Sequence, residues 1–344
     1  MNPRLSICLP TYNRASFLRG ALESICTQAT DDLEIVVSDN ASTDDTPGVV
    51  ADFARRYPFV RGHRHEANLG FDRNFKSLVE LAKGAYCWTL GDDDWLEPGA
   101  LAKVYGGLDA RPGVTGMTVQ ANGYSAQGQL IAATKTTGAL EYVRGAGPIF
   151  QHRRLGFLFG NMSIHVFRRD RAGDVLSRHR LFENGCSCHH LFSLLVRHYQ
   201  DWAFLDEPCV AWRYGNDSFA QDGLYRRARL ALRGYTDIVG EVFGRDSEVF
   251  REFMDVQQTH VARRYVIRAK NVNALNRHYG TYRCDSSERW RINSEAFVTL
   301  YKYPRYWRQV APWTLVPGPI LSIILRTRQL LRHESAALDL EPQE

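Results

Sequence analysis

What constrains this chain most is a strand–helix alternation over roughly its first third, in which each main strand runs into a polar cluster. Leu5–Leu9 is a short apolar run stopped at Pro10, the pattern of a strand buried on both faces. Ala15–Thr27 follows with Leu18, Ala21, Leu22 and Ile25 on one helical face. Glu34–Ser38 (EIVVS) predicts a second strand halted by Asp39-Asn40. Thr46–Tyr57 predicts a helix with Thr43 or Asp44 near its start, and Val60–His65 a short third strand. After the turn signal Asn68-Leu69-Gly70, Phe71, Phe75, Leu78, Val79 and Ala82 mark a helix closed by Gly84. Tyr86–Leu90 then predicts a fourth strand running into Gly91-Asp92-Asp93-Asp94. Repeated units of this kind build a mostly parallel sheet flanked by helices, an α/β fold. Such sheets bind ligands beyond the carboxyl ends of their strands. Pro10–Arg14, Asp39 and Asp92–Asp94 are therefore expected to meet at one sheet edge.

The rest of the chain is less regular. Val114–Ala133 predicts a hairpin turning near Gln127-Gly128. Residues 134–185, rich in Gly, Arg and Phe, predict a partly irregular region shaping an acceptor cleft. His189–Tyr199 predicts a helix, Trp202–Trp212 an extended segment, and Leu224–Asn276 an arginine-rich helical stretch. The expected division is a nucleotide-binding and catalytic domain over 1–220 (the nucleotide side over 1–120, the acceptor side over 121–220) and a mainly helical region over 221–344. Near the C-terminus an apolar run, Val310–Leu325, is broken by Pro312, Pro317 and Pro319 and followed by Arg326, Arg328 and Arg332. Three prolines argue against a spanning helix. Trp307, Trp313 and tyrosines beside arginines suit peripheral contact with a membrane interface, and a tail packed on the catalytic domain accounts for them equally well.

A hydrophobic fraction of 44% with 24% charged residues, over 344 residues, excludes a disordered chain. The net charge of +5 suits phosphate-bearing ligands or an anionic surface. No nucleic-acid partner is expected. Seven scattered cysteines, two of them inside predicted core strands, predict reduced thiols. The N-terminus carries no secretory pattern, so the expected location is cytoplasmic, at the cytoplasmic face of the inner membrane.

The strongest chemical signal is Asp92-Asp93-Asp94. Adjacent carboxylates at the end of a core strand repel one another unless a cation sits among them. Mg²⁺ or Mn²⁺ prefers one or two carboxylates completed by substrate phosphate oxygens. The alternative is a solvated acidic turn capping a helix. Asp39, after the second strand, is placed to accept hydrogen bonds from a ribose or base; an Asx turn is its alternative, which Asp44 fits better. Tyr12 is suited to stacking on a base and Arg14 to pairing with phosphate. The absence of a Gly-rich loop here disfavours dinucleotide and Walker-type sites. Cys186-Ser187-Cys188-His189-His190 lacks the spacing of a structural zinc site and reads as ordinary thiols with one or two site histidines.

Four motifs in order, Pro10-Thr11-Tyr12-Asn13-Arg14, Val37–Asp44 (VSDNASTD), Asn68-Leu69-Gly70 and Leu90–Pro98 (LGDDDWLEP), resemble the family 2 glycosyltransferases. Trp212–Asp217 resembles a segment of transferases that build bacterial surface polysaccharides such as O-antigen or capsule. The resemblance covers about residues 4–120. It implies a GT-A fold and an inverting transferase using a nucleoside-diphosphate sugar, a divalent metal (Mg²⁺ or Mn²⁺) and a glycan or polyprenyl-linked glycan acceptor. It implies Pro10, Thr11, Tyr12, Arg14, Asp39, Asn68 and Asp92 around the nucleotide-sugar, Asp93 and Asp94 on the metal, and Arg213 over the diphosphate. The family more often has Asp where Gly91 stands. An inverting displacement needs a general base. Glu183 is the candidate nearest the family's usual carboxylate, with His189 or His190 as alternatives. Rival readings are a sugar nucleotidyltransferase, which lacks its Gly-rich, Lys-containing loop here, and a non-catalytic glycan-binding module, against which the intact aspartates argue.

Overall fold

The computed structural model describes residues 3–152, 161–214, 223–270, 284–317 and 320. The chain forms two compact units: residues 1–122 with 135–212, and residues 123–134 with 213–344.

The first unit carries the sheet. Strands β1 (Leu5–Thr11), β2 (Leu33–Asp39), β3 (Val60–Arg64) and β4 (Tyr86–Thr89) are all parallel, in the order β3-β2-β1-β4. Every residue of β1 and β2 is buried, as continuous apolar runs in a helix-covered sheet must be. Helix α1 (Ala15–Cys26) buries Leu18, Ala21, Leu22 and Ile25, the stripe expected from its spacing. Helices α2 (Thr46–Arg56) and α3 (Phe71–Leu81) complete the alternation, and α4 (Ala100–Ala110) follows the acidic turn. Thr46 and Ala15 begin on one carboxylate: Asp44 accepts from the Thr46 and Ala15 amides at 3.0 and 3.1 Å. Burial works against its charge, but these hydrogen bonds and that of the Thr46 hydroxyl hold the carboxyl below its usual range.

Two local expectations are corrected. Pro10 does not end β1, which continues to Thr11. Cys8 accepts from Leu90 on the β4 side, so Pro10, two residues on, faces the same side beyond the last β4 pair and forfeits no ladder bond. Gly84 does not close α3, which ends at Leu81. A Cβ at Gly84 would lie 2.6 Å from both the amide nitrogen and the hydroxyl of Ser6, so close approach to β1 explains the glycine.

Beyond β4 the sheet turns antiparallel. β9 (His165–Arg168) lies between β4 and β6 (Gly116–Tyr124), followed by β10 (Asp201–Arg213) and the two-residue β5 (Trp95–Leu96). β8 (Leu140–Arg144) also pairs with β10. The stretch read from sequence as partly irregular thus contains a sheet strand, β9, the short helix α5 (Ala146–Phe150), and helix α6 (Arg169–Arg178). Four residues are too few to show a period. Helix α7 (Ser187–Tyr199) packs on α3 and α6.

In the second unit, Gly123 and Tyr124 pair antiparallel with β7 (Leu130–Ala132) across a turn in which Gly128 takes φ 81°. Its remaining described elements are helices: α8 (Leu224–Arg229), α9 (Tyr235–Phe243), α10 (Glu248–Glu252), α11 (Thr259–Lys270), α12 (Ser286–Leu300), α13 (Pro304–Gln309) and α14 (Ala311–Leu315), with π-helical turns at Leu230–Gly234 and Phe253–Gln258. Residues 271–276 of the predicted helical stretch, Asn216 and Asp217, Pro319, Leu321–Leu325 and Arg326, Arg328 and Arg332 lie outside the described residues. Among the described residues no helix is long and apolar enough to cross a membrane.

Candidate active site

Three polar loops meet where β2, β1 and β4 end side by side. Thr11 and Asp39 are register partners, and the Asn40 amide donates to the Thr11 carbonyl at 3.0 Å. Strand order reverses between β2-β1 and β1-β4, which opens the crevice where sheets of this kind bind ligands. Left-handed backbone at Asn13 (φ 54°) and Ala41 (φ 62°) turns both loops sharply. Asn13 ties them together: its side-chain oxygen accepts from the Thr43 amide (2.7 Å), and its own amide donates to the Ser42 hydroxyl (2.9 Å). Asn68 belongs to the same rim, accepting from the Asn40 side-chain amide (2.9 Å) and the Gly70 amide (2.9 Å).

Asp39 is 2% exposed, and its two oxygens differ. Oδ1 accepts from the Ser42 amide at 2.9 Å. Oδ2 is buried with no hydrogen-bond partner, its nearest cation being Arg64 Nε at 3.6 Å. A buried acceptor with no hydrogen bond costs about 1–3 kcal/mol, a cost that a ligand's donor could remove here. The Thr11 hydroxyl is likewise buried without a hydrogen bond of normal geometry, though it faces Asp92 closely enough to favour the charged carboxylate. Tyr12 stands beside them, 43% exposed.

The three aspartates occupy different environments. Burial, then the neighbouring Asp93 carboxylate, pushes the Asp92 carboxyl up to about 7, against the opposing pull of Arg14. Asp93 faces Arg14 Nη1 at 3.4 Å. Asp94 is buried, and its Oδ2 accepts the Ser163 hydroxyl at 2.6 Å, while Ser163 Oγ accepts the Gly91 amide at 3.0 Å. A Cβ placed on Gly91 would lie 3.1 Å from Asp93 Oδ1 and 3.2 Å from Asp94 Oδ2. Both carboxylates thus border one small gap that a side chain would crowd. Among the described residues no three His, Cys, Asp or Glu side chains converge as a ligand set. Two carboxylates at an open edge fit Mg²⁺ or Mn²⁺ completed by phosphate oxygens from a substrate.

The three base candidates also differ. Glu183 is 40% exposed at its side chain and lies between Arg73 Nη2 (3.0 Å) and Arg180 Nη2 (3.3 Å). Arg73 first and Arg180 second hold its carboxyl below the usual range. His189 is buried in the first turn of α7. The start of that helix is anchored by Asp72, whose carboxylate accepts from the Gly185 and Ser187 amides at 2.7 and 3.0 Å. His189 borders a small cavity with Met162, His165, Cys188 and Thr89, the last residue of β4. Cys188 Sγ lies 3.1 Å from His189 Nδ1. His165 is pushed down to about 3 by burial, with His189 adding to the effect. The Thr118 hydroxyl accepts the Trp202 indole N–H and lies 3.0 Å from His165 Nδ1, while His165 Nε2 is buried with no hydrogen-bond partner. His190 accepts the Phe182 amide and is pushed down to about 4 by burial, then by His179.

Arg213 lies in the second unit, where its Nη1 donates to the Ala126 carbonyl at 2.8 Å. Sequence reasoning missed Ser163, Arg64, Asp72 and Arg73. None sits in a motif, and each is defined only by the distant carboxylate it meets.

The description "Glycosyl transferase family 2" matches residues 6–151. The abequosyltransferase RfbV of Salmonella typhimurium is 30% identical over 271 residues, which cover 73% of this chain and 79% of that protein. Among solved structures, the mannosyltransferase PcManGT of Pyrobaculum calidifontis, in complex with GDP-Man and Mn²⁺, superposes with a TM-score of 0.54 at 16% identity, over 96% of this chain and 81% of its own. Residues 1–349 of S. aureus TarS in complex with UDP give 0.52 at 15% identity, over 89% and 91%. These two show the GT-A fold. The motif-bearing strand ends, the family match and the long alignment with RfbV converge: the chain belongs to glycosyltransferase family 2.

Proposed function

We propose that this glycosyltransferase moves a hexosyl or deoxyhexosyl group from a nucleoside-diphosphate donor to a hydroxyl of a glycan or polyprenyl-linked glycan, with inversion, in cell-surface polysaccharide synthesis. The observation that carries the reading is the buried Oδ2 of Asp39, which accepts no hydrogen bond, on the same edge as the Asp92–Asp94 turn. The acceptor class draws on RfbV, named as an abequosyltransferase, and the donor class on the UDP and GDP-Man complexes of the structural relatives.

Asp39 Oδ2 accepts from the ribose or base, Thr11 lies beside it, and Tyr12 stacks on the base. Pro10 and Asn68 shape the rim. Arg14, released from Asp93, pairs with phosphate. Asp93 and Asp94 would hold Mg²⁺ or Mn²⁺, with Asp92 directed to the donor. A cation there supplies positive charge that offsets the departing diphosphate. Residues 135–212 supply the acceptor side, and His189 takes the acceptor hydroxyl proton. Glu183, neutralised by two arginines, is the weaker base because its basicity is lowered.

The test is a thermal-shift panel of UDP-, GDP-, dTDP- and CDP-sugars with and without Mn²⁺, followed by transfer assays of Asp93→Ala. A matching donor raises the melting temperature by mass action. Asp93→Ala is expected to lower kcat/KM by about 10²-fold or more with the fold retained. Full turnover in that variant removes the metal assignment.

A further inference from the structure

We propose that one exposed face of the helical unit docks on an anionic lipid surface. Helix α12 packs inward through Ile292, Glu295, Ala296 and Leu300. Its outward stripe should be charged if it only met water. Instead it carries Trp290, Phe297 and Val298, and just past its end Tyr301, with exposures of 69, 44, 59 and 43%. Spacings of seven, eight and eleven residues put them on one side of a helix. The following helix, α13, adds Trp307, 54% exposed. Its ring stands edge-on to Phe297 (centroids 6.1 Å apart), and its indole N–H donates to the Tyr301 carbonyl at 2.8 Å. Phe297 and Tyr301 stack at 5.5 Å.

The charge pattern selects the occupant. Over α12, α13 and the turn between them the exposed charges, Arg291, Lys302 and Arg308, are all positive. Of the two acids there, Glu295 is buried and ion-paired with Arg233, and Glu288 is half-buried in the first turn of α12, beside its exposed N-cap Asp285. A protein interface also buries aromatics, but it depletes lysine at its core. Trp and Tyr among cations of one sign match the headgroup layer of an anionic bilayer, where amphipathic rings sit at the boundary and each cation adds affinity. This surface belongs to the second compact unit, and its reading does not depend on how the strand-end edge is assigned.

The experiment is co-sedimentation of the full chain with phosphatidylcholine vesicles, with and without phosphatidylglycerol. Binding is expected only to the anionic vesicles and should weaken as salt rises. Lys302→Gln and Arg308→Gln should each weaken it about five-fold. Trp290→Ser combined with Trp307→Ser should weaken it about ten-fold or more. Melting temperature and donor-sugar turnover should stay at wild-type values in the charge variants, which separates lost docking from lost folding. No binding, equal binding to neutral vesicles, or wild-type binding by the charge variants overturns the proposal. So does concentration-dependent self-association abolished by the tryptophan substitutions, which would make a second copy the occupant.

Discussion

The strand-end edge and the 181–190 segment both present ionisable side chains on the catalytic unit, but in opposite states. Asp39 is buried with one oxygen unpaired, and Asp92 is pushed up to about 7 by burial beside Asp93. Glu183 is exposed and held below its usual range by two arginines. A carboxylate whose demands are already met by the protein supports architecture; one left short of a partner awaits a ligand. By this criterion the edge is the side proposed to bind the donor, and Glu183 ties Arg73 to Arg180. His189, which shares a small cavity with Thr89 at the end of β4, is the base proposed for the acceptor proton.

The sharpest way to break this contrast is at the base. His189→Ala is expected to lower kcat by about 10²- to 10⁴-fold with donor binding unchanged, whereas Glu183→Gln should stay within a few-fold of wild type. Steady-state kinetics with a fixed donor decides it, and the reverse ranking would return the role to Glu183. Next in size is Asp39→Asn, which keeps the shape but removes the charge that accepts from the donor. The donor dissociation constant should rise about ten- to hundred-fold by calorimetry. Unchanged affinity would mean that the unpaired oxygen faces no ligand.

The smallest effect is a pH dependence. The folded-state value of Asp92 lies above its ordinary one, so the cation-free protein holds an extra proton between about pH 4 and about pH 7 and loses stability as pH rises through that window. A divalent cation held by Asp93 and Asp94 would favour the charged form of Asp92 beside them. The melting-temperature increase produced by Mn²⁺ should therefore be larger at about pH 8 than at about pH 6. An equal increase at both would mean that the Asp92 carboxyl does not sense the cation.

Most of the edge was legible from residue order. The β1, β2 and β4 patterns announced a parallel sheet, and the rule that ligands bind beyond strand ends brought Thr11, Asp39 and Asp92 together before any coordinates. The acceptor side was not legible. His165–Arg168 is too short to show a period, and α6 is largely polar, so the segment read as irregular although it inserts a strand next to β4. The family resemblance points to Glu183 by its place in the chain, and nothing in that pattern records that Arg73 and Arg180 flank it.

Residue order was thus enough for the strand–helix alternation, the polar strand ends and the family, because periodicity and turn chemistry are encoded within a few residues of where they act. It took the folded arrangement to show which oxygen of Asp39 stays unpaired, that Ser163 holds Asp94 from 69 positions away, and that Glu183 is neutralised by Arg73 from 110 positions away. Those pairings depend on how the packed elements close distant loops, and no local pattern records that.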